Sequence, residues 1–419
     1  MRKNIFFWTL YDFANSIVMI VFLFYFSQWL VVDSGKPDWW FNAILAGSSS
    51  LFVLTAPILG RRLDYSQKKL SGVRITTVIT FLLFSGTALV TLFAPAHVLL
   101  AALVYTCGLY FYLLSFVYYT PMLSDISDTT NRNFVSGLGM GANYAGQVIG
   151  LLITLPLATG AIYLFGATGR AQTLLPAAIL FGILAMPLLF WFKDGSPQSR
   201  IDRESIRDEL SGVRKTLNLI FANKNLTFLL LAYFLFSDAL LTFSNNFPIF
   251  LEKVHNASDS VKTYLTAGIL SLSVIGAILG GSIADKKGGV RTLFWLLISW
   301  IVLFPALAFA PSFSLVVVIC LIAGIFFGPT WGVSRALVSE FSAKELRASS
   351  FSFFILMERF ATFAGPIVWS IVLAATASQG ARSYSYAIVS MGILVFVSLF
   401  FIRKISPTVP SLDSKRRVE

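Results

Sequence analysis

Long apolar stretches recur along this chain, and each is long enough to cross a lipid bilayer, for which a helix needs about 20 mostly apolar residues. Hydrophobic residues make up 56% of the 419 residues and charged residues only 12%. A soluble fold could not bury so much apolar surface. We therefore predict an all-α integral membrane protein, which excludes a soluble enzyme, a nucleic-acid-binding domain and a disordered scaffold. Twelve helices are predicted, near residues 5–32, 41–60, 75–94, 98–123, 137–160, 173–192, 226–250, 262–284, 292–310, 313–338, 350–376 and 384–402.

The distribution of lysine and arginine predicts the orientation of these helices. If the N-terminus is cytoplasmic, 25 of the 32 basic residues fall in cytoplasmic segments and five in outside segments. Cytoplasmic loops of membrane proteins carry such an excess of positive charge. Both termini are therefore predicted to be cytoplasmic, in the inner (plasma) membrane if the cell is bacterial. The net charge of +12 is explained by insertion, and no nucleic-acid partner is expected.

The predicted helices fall into two groups of six, separated by the longest polar segment of the chain. We expect an N-terminal six-helix bundle at 1–192, a cytoplasmic linker at 193–225, a C-terminal six-helix bundle at 226–402 and a basic cytoplasmic tail at 403–419. Apolar residues recur at steps of three and four within the linker. This spacing predicts an amphipathic helix lying along the membrane surface.

Two short patterns occur once in each group of helices. Gly-x-x-x-Asp stands at 60–64 and again at 281–285, and an aromatic-Ala-Gly triplet stands at 144–146 and again at 363–365. Both repeats are separated by about 220 positions, which favours an internal duplication. Parallel repeats related by an axis along the membrane normal are a known transporter architecture, with the substrate site between the two halves.

The loop after the eighth helix resembles the cytoplasmic loop signature of the major facilitator superfamily. The residues that carry this likeness are Gly281, Asp285, Lys286, Gly288 and Arg291. The resemblance implies that Asp285 pairs with basic groups and a helix end, which closes the cytoplasmic side when a carrier faces outward. The first copy departs from the signature, because Tyr65 and Ser66 follow Asp64 where a basic residue is expected.

A narrower likeness runs through residues 8–16, 136–146, 334–337 and 365–366. Together these segments resemble the Atg22-like branch of the superfamily, which includes vacuolar amino-acid effluxers. The resemblance implies that the substrate is an amino acid or a related small polar solute.

Five ionisable residues lie within predicted helices: Asp12, Asp238, Arg335, Glu358 and Arg359. A charge in this position costs about 2.5–3.5 kcal/mol on insertion scales, so each needs an interior location or a partner. Asp238 lies near mid-bilayer and is predicted to be a proton or substrate site, or else to make a structural hydrogen bond or salt bridge. The other four lie at similar depth on the cytoplasmic side. They can form an ion pair between the halves that acts as a gate, or pair within one half.

Two groups of candidate residues follow. The predicted substrate and proton site in the central cavity consists of Tyr11, Asp12, Asn15, Asn143, Tyr233, Asp238, Asn245 and Asn246. The predicted cytoplasmic gate and loop signatures consist of Asp64, Gly281, Asp285, Lys286, Gly288, Arg291, Arg335, Glu358 and Arg359. No phosphate-binding loop or cluster with metal-ligand spacing occurs in the sequence, so no cofactor and no metal are expected.

We therefore predict a secondary active transporter that works by alternating access, with an amino acid or related metabolite as substrate and protons as the coupling ion. The chain is expected to act as a monomer within the lipid bilayer. Two alternatives remain open: a carrier of another substrate class (nucleoside, peptide, drug or siderophore), and a non-transporting receptor on the same scaffold. An enzyme is not expected, because the sequence shows no convergent nucleophile or metal ligands.

Overall fold

The computed structural model describes residues 2–36, 39–66, 68–192 and 215–406. Within these ranges the protein consists of twelve long helices joined by short connections. The first six are α1 (Arg2–Val21, extended by π-helical turns at Phe22–Phe26 and Trp29–Asp33), α2 (Trp39–Ser66), α3 (Lys69–Phe93), α4 (Val98–Tyr119), α5 (Arg132–Ala158) and α6 (Ala171–Trp191). The last six are α7 (Lys224–His255), α8 (Asp259–Lys287), α9 (Gly289–Ala308), α10 (Phe313–Phe341), α11 (Arg347–Ala375) and α12 (Arg382–Ile402).

Eleven helices in the described part of the chain are long and apolar enough to cross a membrane. The exception is α11, which contributes the shorter apolar segment Gly365–Ala375. Several helices extend beyond the predicted apolar stretches, because polar residues continue the helix past the hydrocarbon. Large apolar side chains such as Leu54 and Phe190 are exposed on the outside of the molecule, as expected where lipid replaces water as the solvent.

The helices pack in two groups that meet along a few helix pairs. Helices α1 to α6 contact one another extensively, and so do α7 to α12. The two groups meet where α5 packs against α8 and α10, and where α2 packs against α11. The contact of α5 with α8 is made by backbone, because a Cβ atom on Gly137 would collide with the carbonyl oxygen of Ala277. Small residues permit this close approach of two helices in a membrane.

The two sequence repeats make equivalent contacts in the fold. Gly60 of α2 lies against the first two turns of α11, and Gly281 of α8 lies against the first turn of α5. In the second repeat, Gly146 of α5 lies against α1, and Gly365 of α11 lies against α7. In each case a side chain at the glycine would overlap the neighbouring helix. The glycines therefore mark the same helix crossings in both groups.

We call the side of the molecule at which α1 begins and α2 ends the basic side. Basic residues around the connection from α2 to α3 are Arg61, Arg62, Lys68, Lys69 and Arg74. Of the predicted amphipathic linker, residues 193–214 lie outside the described part of the chain, and residues 215–222 are helical. Residues 407–419 of the predicted tail also lie outside it.

Candidate functional site

A cavity of about 600 Å³ lies between the two groups of helices, within the usual size range of small-molecule sites. Its lining comes from α1, α4 and α5 on one side and from α7 to α11 on the other. It extends from Asp12 and Arg335 to Leu307, the residue before the last of α9. Its wall is mostly apolar, with many aromatic rings: Phe24, Phe116, Tyr144, Tyr233, Phe243, Phe247, Trp300, Phe304, Phe327, Trp331 and Phe354.

A buried ion pair forms the end of the cavity toward the basic side. The Arg335 guanidinium lies 3.2 Å from the Asp12 carboxylate, and the two side chains are 9% and 2% exposed. Arg335 also donates from Nε to the Ser136 hydroxyl (3.1 Å) and from Nη2 to the Ser136 carbonyl (2.8 Å). The guanidinium stacks 4.8 Å from the centre of the Trp8 ring. Arg335 of α10 thus joins the last six helices to α1 and α5 of the first six.

Two further carboxylates join the groups on the basic side, and each caps a helix. Asp64 accepts hydrogen bonds from the backbone N–H groups of Ala348 (2.6 Å) and Ser349 (2.9 Å), in the first turn of α11. The free N–H groups and the positive dipole end of a helix N-terminus favour an anion there. Asp64 makes this contact although no basic residue follows it directly, because the donors are backbone amides.

Asp285 makes the corresponding contact with α5. It accepts hydrogen bonds from the backbone N–H of Asn133 (2.9 Å), from the side-chain amide of Asn133 (2.9 Å) and from the N–H of Phe134 (2.7 Å). Among the described residues no salt bridge to Asp285 is formed, and the nearby signature residues Lys286, Gly288 and Arg291 are exposed. The helix end therefore provides the partner of this aspartate.

Two adjacent residues of opposite charge, Glu358 and Arg359, lie on the cavity wall contributed by α11. Their charged groups are 3.4 Å apart, and their side chains are 28% and 31% exposed. The Tyr233 hydroxyl donates a hydrogen bond of 2.7 Å to the Glu358 carboxylate. A carboxylate and a guanidinium are thus presented side by side to a mostly apolar space.

Of the eight residues predicted for the central cavity, Asp12, Asn143, Tyr233 and Asn245 line it. Asn143 accepts a hydrogen bond of 2.8 Å from Gln147, which also lines the cavity. With Asn245 they give the mostly apolar wall three amide side chains.

The other four predicted residues lie away from the described wall of the cavity: Tyr11, Asn15, Asp238 and Asn246. Tyr11 instead shares a 2.6 Å hydrogen bond with Thr77, and Asn15 is fully buried within the first six helices. Asn246 donates to a backbone carbonyl of its own helix, and Asp238 faces Gly365 of α11. Successive helical residues point about 100° apart, so neighbours of a cavity residue readily face another helix.

Sequence reasoning did not single out two partners of Arg335, namely Ser136 and Trp8. Both lie in segments that carry the family likeness, which was the available signal. The pairings span 199 positions for Ser136 and more than 300 for Trp8, so no local spacing indicates them.

Comparison with known proteins identifies the class to which this fold and cavity belong. The Major Facilitator Superfamily model matches residues 136–366 and 265–418, well over half of the chain. The protein therefore belongs to the Major Facilitator Superfamily. It is an integral, multi-pass membrane protein that transports small molecules, and it is not an enzyme.

Individual relatives are distant. The chain is 22% identical over 412 residues to an uncharacterised MFS-type transporter of Bacillus subtilis, YxiO, covering 93% of this chain and 94% of that protein. Among solved structures, FucP in its outward conformation superimposes with a TM-score of 0.75 at 13% identity, covering 97% and 98% of the two chains. The human organic anion transporter MFSD10 gives a TM-score of 0.74 at 13% identity, covering 96% and 99%. At this identity the structural matches show the fold alone.

Proposed function

We propose that this secondary transporter moves an amino acid, or a closely related small zwitterion, together with protons. It does so as an Atg22-like monomeric carrier with twelve membrane crossings and both termini in the cytoplasm. The motif at residues 8–16 supports the branch, and the distribution of basic residues supports the orientation. The basic side is then the cytoplasmic side, in the inner membrane of a bacterial cell.

The observation that carries the substrate class is the pair formed by Glu358 and Arg359 on the cavity wall. A zwitterion presents one carboxylate and one ammonium group a few ångströms apart. Arg359 can bind the carboxylate and Glu358 the ammonium, and charge-assisted hydrogen bonds of this kind are the strong ones. The aromatic wall around them provides an apolar surface for the rest of the solute.

In an alternating-access cycle, the contacts on the basic side can close the path to the cytoplasm. The ion pair between Asp12 and Arg335 and the helix caps made by Asp64 and Asp285 all join the two groups of helices. The cavity meanwhile extends toward the opposite side. We infer that this arrangement is closed to the cytoplasm, and that solute leaves toward the cytoplasm only when these three contacts separate.

Substrate class is tested first by binding. Purified protein is heated with amino acids, nucleosides, sugars and peptides, because a ligand that binds the folded state raises the melting temperature. We expect stabilisation by amino acids with apolar side chains. Stabilisation by nucleosides, sugars or peptides alone would overturn the assignment.

The head-group site is then tested by calorimetry with the amino acid that stabilises most. Hydrogen bonds to charged groups contribute about 1.5–3 kcal/mol, so Glu358→Gln is expected to weaken binding by roughly 10- to 150-fold. Glu345→Gln, at an exposed position before α11, is the matched control and should bind as the wild type does. Equal affinities for all three proteins would contradict the proposed site.

Proton coupling is tested in proteoliposomes. Uptake of the same amino acid should follow an imposed pH gradient and stop when a protonophore dissipates it. Uptake that is insensitive to the gradient would show a carrier without proton coupling.

A further inference from the structure

Asp238 is a buried carboxyl group without an ionic partner. It is 2% exposed, its Oδ1 atom makes no hydrogen bond, and among the described residues it forms no salt bridge. An isolated ionised carboxylate is so costly in such surroundings that the group takes up a proton instead. Asp238 lies on α7, away from the described wall of the cavity.

A second orphan oxygen lies one helical turn further along α7. Thr242 is 1% exposed, and its hydroxyl oxygen also makes no hydrogen bond. Residues four apart share one face of a helix. Both face the same point of α11, since a Cβ atom on Gly365 would overlap the Thr242 hydroxyl and lie 2.5 Å from Asp238 Oδ1. Pro366 follows, and its missing N–H weakens the α11 hydrogen-bond ladder at this point.

We propose that Asp238 and Thr242 form a proton-binding site, separate from the substrate cavity, at the contact of α7 with α11. A proton on Asp238 provides a donor, and Thr242 provides the acceptor, so a single proton satisfies both orphan groups. A metal ion would need several additional oxygen ligands, and the described residues contain no group of three His, Cys, Asp or Glu side chains able to hold one.

No titratable side chain in the described helices around α7 forms an ion pair with Asp238. Helices α10, α11 and α12 pack against α7. Titratable side chains in the described residues of these helices are Arg335, Glu340, Glu358, Arg359, Arg382, Tyr384 and Tyr386, together with Cys320 and Arg347. None of them forms a described hydrogen bond or salt bridge with Asp238.

The position of α11 links this site to transport, and this step rests on the proposed function. Gly365 lies directly against Asp238, so movement of α11 away from α7 opens the carboxyl to water. The same helix carries Glu358 and Arg359 two turns earlier, and Asp64 of α2 binds its first turn. Release of the proton therefore shifts the helix that binds the solute head group and closes the basic side.

Infrared spectroscopy of the purified protein in lipid tests the site without any substrate. We expect the C=O stretching band of a neutral carboxylic acid at neutral pH. Asp238→Asn should abolish this band and Thr242→Val should shift it, whereas the cavity variant Glu358→Gln should leave it unchanged. A spectrum without the band, or a band that persists in Asp238→Asn, would overturn the proposal. Removal of the wild-type band by added Na⁺ would identify a metal site instead and would also overturn it.

The link to α11 is tested by the distance between spin labels on the basic side, at exposed Thr129 and Lys344. In the wild type the distance distribution should change between acidic and alkaline pH, and in Asp238→Asn it should not. A pH response that survives in Asp238→Asn would refute the coupling. These readouts need no solute, so failure of the amino-acid assignment and failure of the proton site remain distinguishable.

Discussion

Replacing Arg335 by Ala should open the basic side of the carrier. The change leaves Asp12 buried without its counter-ion, removes both hydrogen bonds to Ser136 and removes the stack on Trp8. Removal of one partner of a buried pair costs about 3–5 kcal/mol. Because the pair joins the two groups of helices, most of this cost falls on the closed arrangement. At about 1.4 kcal/mol per factor of ten, the ratio of closed to open molecules should fall by roughly a hundred- to a thousand-fold.

The measurement is the label-to-label distance between Thr129 and Lys344, by pulsed electron paramagnetic resonance, after replacement of the free cysteines Cys107 and Cys320. The wild type should show mainly a short distance, and Arg335→Ala should show mainly a longer one.

Two variants make the comparison specific. Asp12→Asn keeps the contacts of Arg335 with Ser136 and Trp8, so it should produce a smaller shift. Thr77→Val removes the 2.6 Å hydrogen bond with Tyr11, which lies wholly within the first six helices, so it should lower the melting temperature without changing the distance. An unchanged distribution in Arg335→Ala, or an equal shift in Thr77→Val, would refute the reasoning.

Three further changes have defined outcomes. Asp285→Ala removes the cap of α5, worth about 0.5–2 kcal/mol, and should give a smaller increase in the same spin-label distance than Arg335→Ala; an equal or larger increase would contradict this ranking. Gly137→Leu places a side chain against the α8 backbone and should reduce the closed population, which a wild-type distribution would disprove. Tyr233→Phe removes the hydrogen bond to Glu358 and should weaken amino-acid binding in calorimetry, and unchanged affinity would argue against a role for this tyrosine.

The helices themselves follow from the sequence, because apolar runs of this length have one stable form in lipid. The spacing of Gly281 and Asp285 could also be recognised in the sequence. The contact that these two residues make could not, because their partner is the start of α5, some 150 positions away. Asp64 shows the same limit: Tyr65 and Ser66 follow it where the signature has a basic residue, but its hydrogen-bond donors are backbone amides that no residue pattern reveals.

The depth of a residue in the membrane could be predicted from the sequence more readily than the direction in which its side chain points. Asp238 and Asn245 are seven residues apart and point nearly the same way along an ideal helix. Asn245 lines the cavity, whereas Gly365 of α11 covers Asp238. Similarly, both charges of the Asp12 and Arg335 pair were recognised as needing partners, but only the packing of α1 against α5 and of α5 against α10 brings them together.

In the caps of α5 and α11, the residue that accepts the hydrogen bonds is more constrained in sequence than the residues that donate them. Asp64 and Asp285 cannot be exchanged for an apolar residue without losing the acceptor. The amide at Phe134 or Ala348, by contrast, is supplied by every amino acid except proline. The hydrogen bonds themselves therefore set no side-chain requirement at these two positions, and a single proline at either one would remove a donor while leaving both carboxylates in place.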